Sequence, residues 1–138
     1  MKITRIKTSE TVSIEDGFLW TDEFSWKPIE QKQERAIDGT LIVQEGKKKS
    51  GRPITLEPAD RSMGWIKLLN LRILYEWSTT QEKFLIQFEW PHDKRTFTVI
   101  FNHEAGALEA KPVKDIPAVS EQDYFNITMR LLELENGN

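Results

Sequence analysis

The chain has 138 residues, 38% of them hydrophobic and 30% charged, with five tryptophans and seven phenylalanines. That is too apolar for a disordered segment and suits one domain that buries about two-thirds of its unfolded surface. A formal charge of -3 excludes nucleic-acid binding by the whole surface, which needs a basic face to release counterions, and the lack of cysteine excludes disulfides, thiolate chemistry and Cys-ligated zinc.

The N-terminal stretch MKITRIKTSETVSIEDGF contains no apolar signal-like core, and no run is long enough to span a bilayer. Cytosolic synthesis is therefore expected, and the sequon Asn126-Ile127-Thr128 carries no glycan in that setting. From Ile3 to about Trp20, apolar positions alternate in short bursts (Ile3 and Ile6, then Val12 and Ile14), predicting one or two strands. Residues 21–36 are polar and interrupted by Pro28, which predicts a loop or extended arm carrying Phe24 and Trp26, aromatics that need a surface to cover.

Next comes GTLIVQEGKKKSGRPITL, Gly39 to Leu56, in which two strand-like segments flank a basic loop. Leu41 and Val43 share one face of the first segment, as Ile54 and Leu56 do of the second. Matching those faces pairs Val43 with Ile54 and Leu41 with Leu56, and it places Lys48 and Lys49 at the tip of a long hairpin. Pro53 opens the second strand, where its missing N–H is tolerated. The loop 45–52 exceeds the usual hairpin connection of about two to five residues, so it is either mobile or ordered by a partner.

Asp60 to about Trp77 predicts the one helix, about 61–77, with Asp60 or Ser62 as its N-cap. Trp65, Leu69, Ile73 and Trp77 recur every four residues as a core-facing stripe, widened by Ile66. Leu71, Leu74 and Tyr75 lie off that stripe, so the helix is either deeply buried or keeps a second apolar face for another subunit. A second hairpin follows: Phe84, Ile86, Phe88 and Trp90 form one face, and Phe97, Val99 and Phe101 answer it. Pairing Phe88 with Val99 and Ile86 with Phe101 puts Asp93-Lys94 in the turn. Residues 104–120 hold two prolines and one short strand around Leu108 to Val113, and Asp123 to Leu134 alternates as a long central strand.

No βαβ rhythm appears in this order. It predicts a single, mainly β (α+β) domain: an antiparallel β-barrel, closed or nearly so, or a sandwich, flanked by one helix and carrying a long hairpin loop. Residues 1–35 supply N-terminal strands and an arm, and 36–134 the barrel.

Catalytic and metal motifs are not evident. In the predicted hairpin register His92 sits at the turn opposite Arg95, and His103 lies eight positions along the returning strand, roughly 26 Å away at about 3.3 Å per residue. Two surface histidines are expected. The carboxylates Glu15-Asp16, Asp22-Glu23 and Glu133/Glu135 have no apolar setting that would raise a pKa, so they read as solvated. Gly39, Gly46, Gly51 and Gly64 form neither a Walker nor a dinucleotide loop, and no G-x-S-x-G elbow occurs. No catalytic residue, metal ligand or cofactor site is singled out, and the expectation is a protein that is not an enzyme. The cluster of Lys47, Lys48, Lys49 and Arg52 admits three readings: a solvated tip, a phosphate-binding patch, or a contact with an acidic neighbour. Trp65, Trp77 and Trp90 fall on apolar stripes and read as core, leaving Trp20 and Trp26 for any binding platform.

The stretch Gly39 to Leu56, followed by Trp65, by the strand of Phe97, Val99 and Phe101, and by the closing strand Tyr124 to Leu134, resembles tail proteins of tailed bacteriophages, the tail-tube, distal-tail and baseplate family. The resemblance covers most of the chain from about residue 35 and is one of pattern. It implies a β-barrel or sandwich with one flanking helix and an extended loop, 45–52, that reaches a neighbouring subunit. It also implies hexameric rings around a lumen through which DNA passes only as cargo, with a net negative charge suited to that lumen. On this reading the chain is a non-enzymatic structural subunit of a phage or prophage tail at the distal tip or baseplate, assembled in the host bacterial cytoplasm and resident in the virion tail. Its partners are copies of itself and other tail proteins, with no membrane involved. The implied subunit-interface residues are Lys47, Lys48, Lys49, Arg52, Leu71, Leu74 and Tyr75. There is no room for the second, receptor-facing domain of many tip proteins, which favours a ring or adaptor role over host recognition. The alternative is a monomeric binding module that uses Trp20, Trp26 and the basic loop for a polysaccharide or an acidic protein.

Overall fold

The structure, a computed structural model, describes residues 1–134. In chain order its elements are β1 (Lys2–Arg5), β2 (Thr11–Ser13), β3 (Phe18–Trp20), β4 (Ile29–Arg35), β5 (Leu41–Lys47), β6 (Pro53–Pro58), β7 (Trp65–Lys67), α1 (Leu68–Ser78), β8 (Phe84–Gln87), β9 (Thr96–Phe101), β10 (Leu108–Pro112) and β11 (Tyr124–Glu133), with a 3-10 turn at His103–Ala105. The main sheet is antiparallel and ordered β2-β1-β8-β9-β11-β6-β3, with β10 and β7 also paired to β11. β4 and β5 form a separate ribbon.

β11 organises the fold. Its alternation buries Ile127, Met129 and Leu131 on one face, while its ten residues pair successively with β7, β10, β6 and β9. The long central strand expected at the C-terminal end is thus present, as is the short one at Leu108–Pro112. The N-terminal segment supplies three strands where one or two were expected.

The sheet curls around an apolar core that includes Ile3, Ile54, Leu56, Phe84, Phe88 and Val99. Its far edge folds back far enough for Trp20 of β3 to meet the rings of Phe88 and Phe97, with centroids 5.7 and 5.6 Å apart. The edge strands β2 and β3 do not pair with each other, so the sheet stays open and sandwich-like and does not close into a barrel. Each edge strand has only three residues, a length that limits the unpaired backbone it presents.

The helix begins later than the periodicity predicts. Asp60 accepts from the Ser62 amide (2.7 Å) within a turn and caps no helix. Gly64, at φ +68, then swings the chain past Pro58, where a Cβ would come within 2.9 Å of the proline Cβ. Trp65–Lys67 is drawn into β7 by pairing with Tyr124–Asn126. α1 has no side-chain cap; instead the amides of Leu68 and Leu69 donate to the carbonyls of Asp123 and Glu121. Its buried face is Leu71, Leu74, Trp77 and Ser78, whereas Leu69 is 42% exposed. A strict four-residue spacing advances about 400°, drifting about 40° around the helix per step, so the Trp65–Leu69–Ile73–Trp77 stripe could not stay on one face.

The β8–β9 hairpin keeps its predicted faces but changes register: Phe84 pairs with Val99 and Ile86 with Phe97, and a Trp90–Asp93 bridge puts Pro91-His92 at the tip. The slip is an even number of residues, which preserves the apolar face. Asp93 holds the turn in place by accepting from the Arg95 amide (3.0 Å) and guanidinium (2.9 and 2.7 Å).

Candidate functional site

The hairpin predicted between residues 41 and 56 does not form. β5 turns back on β4 instead, in register from Ile29–Lys47 to Arg35–Leu41, while β6 enters the main sheet between β11 and β3. The inter-subunit loop expected at 45–52 is therefore partly strand, and the projecting element is residues 29–47. Every residue of β4 and β5 is exposed, and the two strands pair only with each other. The tip is ordered locally: Ala36 donates to the Thr40 carbonyl (2.8 Å), Thr40 to the Asp38 carboxylate (2.9 Å) and Arg35 to the Gly39 carbonyl (3.1 Å). Gly39 takes φ +89, which only glycine adopts without strain. Ile37 stands fully exposed at the tip, and Leu41, Ile42 and Val43 are exposed along one strand. A sequence signal for this turn does exist in Asp38-Gly39, a dipeptide favoured in tight hairpins, although Ile29–Arg35 (IEQKQER) shows no strand-like alternation.

The basic cluster lies at the arm's root, not at a loop tip. The Lys48 amide donates to the Pro28 carbonyl (2.9 Å), and its ammonium lies 3.8 Å from Glu30 and 5.9 Å from the centre of the Trp26 ring. Arg52 belongs to the body: it donates to the Glu23 carbonyl (2.7 Å) and its guanidinium stacks 4.6 Å from the Trp20 ring centre. Lys47 and Lys49 are exposed. Asp22 accepts from the Thr55 amide (2.9 Å) and hydroxyl (2.7 Å), and Glu23 accepts from Arg95 (2.7 Å). These two carboxylates are thus anchors for the arm's base, not the solvated charges that the sequence suggested. Arg95 also holds Asp93, whose carboxyl lies below its ordinary range because of the Arg95 side-chain hydrogen bonds, burial acting in the opposite sense.

On the helix, Leu71 and Leu74 are core, not a face kept for a neighbour; Leu74 is 0% exposed and packs under the sheet. Tyr75 alone of the three remains outside, at 64% exposed. Trp20, reserved by the sequence for a binding platform, is buried against Phe88 and Phe97, so only Trp26 of that pair has a free surface. His92 stacks on Trp90 with centroids 5.8 Å apart, and His103 opens the 3-10 turn; both are exposed. The sequon's Asn126 donates its amide to the Met63 carbonyl (2.8 Å). Among the described residues no group of three or more His, Asp or Glu could hold a metal ion, and Glu135 lies outside the described residues.

At the other end of β11 lies a groove of about 300 Å³, lined chiefly by Trp65, Val113, Ile116, Pro117, Val119 and Tyr124. Trp65 packs on Tyr124 (5.3 Å between centroids), and the loop that forms the outer wall is pinned by Asp123, which accepts from the Val119 amide (2.9 Å), and by the Arg61–Asp115 ion pair. Val119 is 92% exposed on its rim. The sequence reading missed this feature because its walls come from β7, β10, β11 and an irregular loop. Chemically it is an apolar seat with Lys114 and Asp123 at hand.

No family model, curated protein or solved structure matches the chain.

Proposed function

We propose that this protein is a non-enzymatic structural subunit that assembles with copies of itself, and that the β4–β5 arm is its principal joining element. The observation that carries the reading is a fully exposed two-stranded ribbon with an isoleucine at its tip. A lone hairpin is marginally stable in water and gains by covering its apolar side chains against another surface. Its tip hydrogen bonds and anchored base present it as a preshaped arm, so little ordering opposes its docking.

With the likeness of Gly39 to Leu56 and of the closing strand to phage tail proteins, this favours a distal-tail or baseplate ring in a phage or prophage tail. In that setting the chain is made in the host cytoplasm, resides in the virion tail, contacts other tail proteins and admits DNA only as cargo through the lumen. The joining element moves from the loop 45–52 to the arm 29–47, with Lys47, Lys48 and Lys49 orienting its base.

Light scattering coupled to gel filtration over a concentration series tests this. Wild type is expected to populate a defined mass near six chains, and Ile37→Asp to remain a folded monomer. Replacing Lys47, Lys48 and Lys49 with Glu is expected to weaken assembly without unfolding the chain. A wild type that is strictly monomeric at every concentration overturns the self-assembling subunit and returns attention to a monomeric binding module built on Trp26 and the basic root.

A further inference from the structure

We propose that the seat for the arm is the apolar groove of the next copy: Ile37 of one chain enters between Trp65, Val113, Ile116, Pro117, Val119 and Tyr124 of its neighbour, bringing Asp38 beside Lys114. This rests on the self-assembly reading above and names the acceptor surface.

Placement within the fold is the first argument. The arm's root is tied to the C-terminal end of β11, where the Gly51 amide donates to the Glu133 carbonyl and the Glu133 amide to the Arg52 carbonyl, both at 2.8 Å. Tyr124 and Phe125, which line the groove, stand at that strand's N-terminal end. Ten residues at about 3.3 Å each separate the two by roughly 30 Å. β3 runs antiparallel to β6, and β6 antiparallel to β11, so the chain leaves the sheet toward the root end, away from the groove. The arm's seven residue pairs extend about 23 Å from that root. Donor and acceptor therefore serve different copies, and two unlike patches meeting across one junction make a head-to-tail contact that closes into a ring when the rotation permits.

Shape and charge are the second argument. A single projecting isoleucine is matched by a concave apolar volume of about 300 Å³, ample for one side chain and the turn that carries it. Asp38, next to Ile37, and Lys114, in the groove wall, have no ion-pair partner among the described residues. The seat's other charged group, Asp123, is turned to the Val119 and Ser120 amides, which leaves Lys114 to answer Asp38 on the plug, and such pairs fix register and suppress wrong partners.

The test uses mixing. Ile37→Asp disables the donor and Val119→Asp the acceptor; both positions are exposed, so both variants keep the wild-type thermal melt. Each alone is expected to stay monomeric, and an equimolar mixture, which retains one intact junction per pair, to reach the mass of two chains and stop. In full-length single chains, Asp38→Lys and Lys114→Asp are each expected to raise the half-assembly concentration about tenfold, and together to recover most of it. If Ile37→Asp abolishes assembly while Val119→Asp and Lys114→Asp assemble like wild type, the groove is not the seat and the self-assembly reading stands without it. A wild type that never assembles overturns both.

Discussion

The Arg52 guanidinium lies 4.6 Å from the centre of the Trp20 ring, while its Nη2 donates to the Glu23 carbonyl at 2.7 Å. One side chain thus couples the edge of the curled sheet to the segment from which the arm departs. Arg95 approaches the same indole at 5.3 Å and grips Glu23 through its carboxylate. Replacing Arg52 with Ala removes a partly desolvated cation–π contact and one hydrogen bond, together about 1–2 kcal/mol. Urea unfolding followed by tryptophan emission is expected to show that loss, along with weaker assembly because the arm's base is less well held. An unchanged midpoint would mean that Phe88, Phe97, Arg95 and the Pro53 carbonyl hold Trp20 without Arg52.

The pH dependence of stability should carry the signature of Asp93. Its pKa is lowered in the folded protein, first by hydrogen bonds from the Arg95 side chain, against the effect of burial. A depressed carboxyl contributes stability that is complete above the unfolded-state pKa of about 4 and disappears as pH falls through the lower folded value. Wild type should therefore lose stability in acid, and Asp93→Asn should be less stable at neutral pH by about 1 kcal/mol and show a shallower acid decline. Thermal melts between neutral and acidic pH check both. Identical pH profiles for the two proteins would remove Asp93 as a contributor.

The helix offers a sharper separation of core from surface. Leu74 is completely buried and Tyr75 next to it is 64% exposed. Leu74→Ala should cost about 3 kcal/mol through lost burial and a residual cavity. Tyr75→Ala should fall within about 0.5 kcal/mol of wild type. Chemical denaturation measures both, and a mild Leu74→Ala would mean that α1 is only loosely seated on the sheet.

Local pattern made some of this architecture legible and left the rest hidden. β11 could be read because Ile127, Met129 and Leu131 alternate along a strand whose burial is one-sided. The faces of β8 and β9 could be read for the same reason, but their register depended on Asp93 folding back onto Arg95, a contact that periodicity does not encode. The start of α1 was hidden because Trp65–Lys67 suits a helix locally and is taken by β11 through backbone pairing. The arm was hidden because Leu41 and Val43 fit β6 as well as β4 by alternation, and the polar β4 advertises no face at all. Its one local cue was Asp38-Gly39. The groove brings together Trp65, Val113 and Tyr124, which are distant in sequence, so no window of the chain displays it.

A covalent test of the same junction exploits the absence of cysteine. With Asp38→Cys and Lys114→Cys in one chain, the only thiols are those introduced, one at the arm tip and one at the groove. Disulfides form only when Cα atoms approach within about 7 Å, and a bond closed within one chain leaves a monomer on the gel, so only contact between copies builds a ladder. Mild oxidation at assembling concentration should therefore give a ladder of covalent oligomers on non-reducing gels, ending at the ring size. The same sample diluted below the assembly range should give far less, because the bond would then require chance encounters. Each single-cysteine variant should stop at dimers, since it offers one thiol per chain. A ladder that appears equally at both concentrations, or none where wild type assembles, would separate Asp38 from Lys114 and place the arm tip on some other surface of its neighbour.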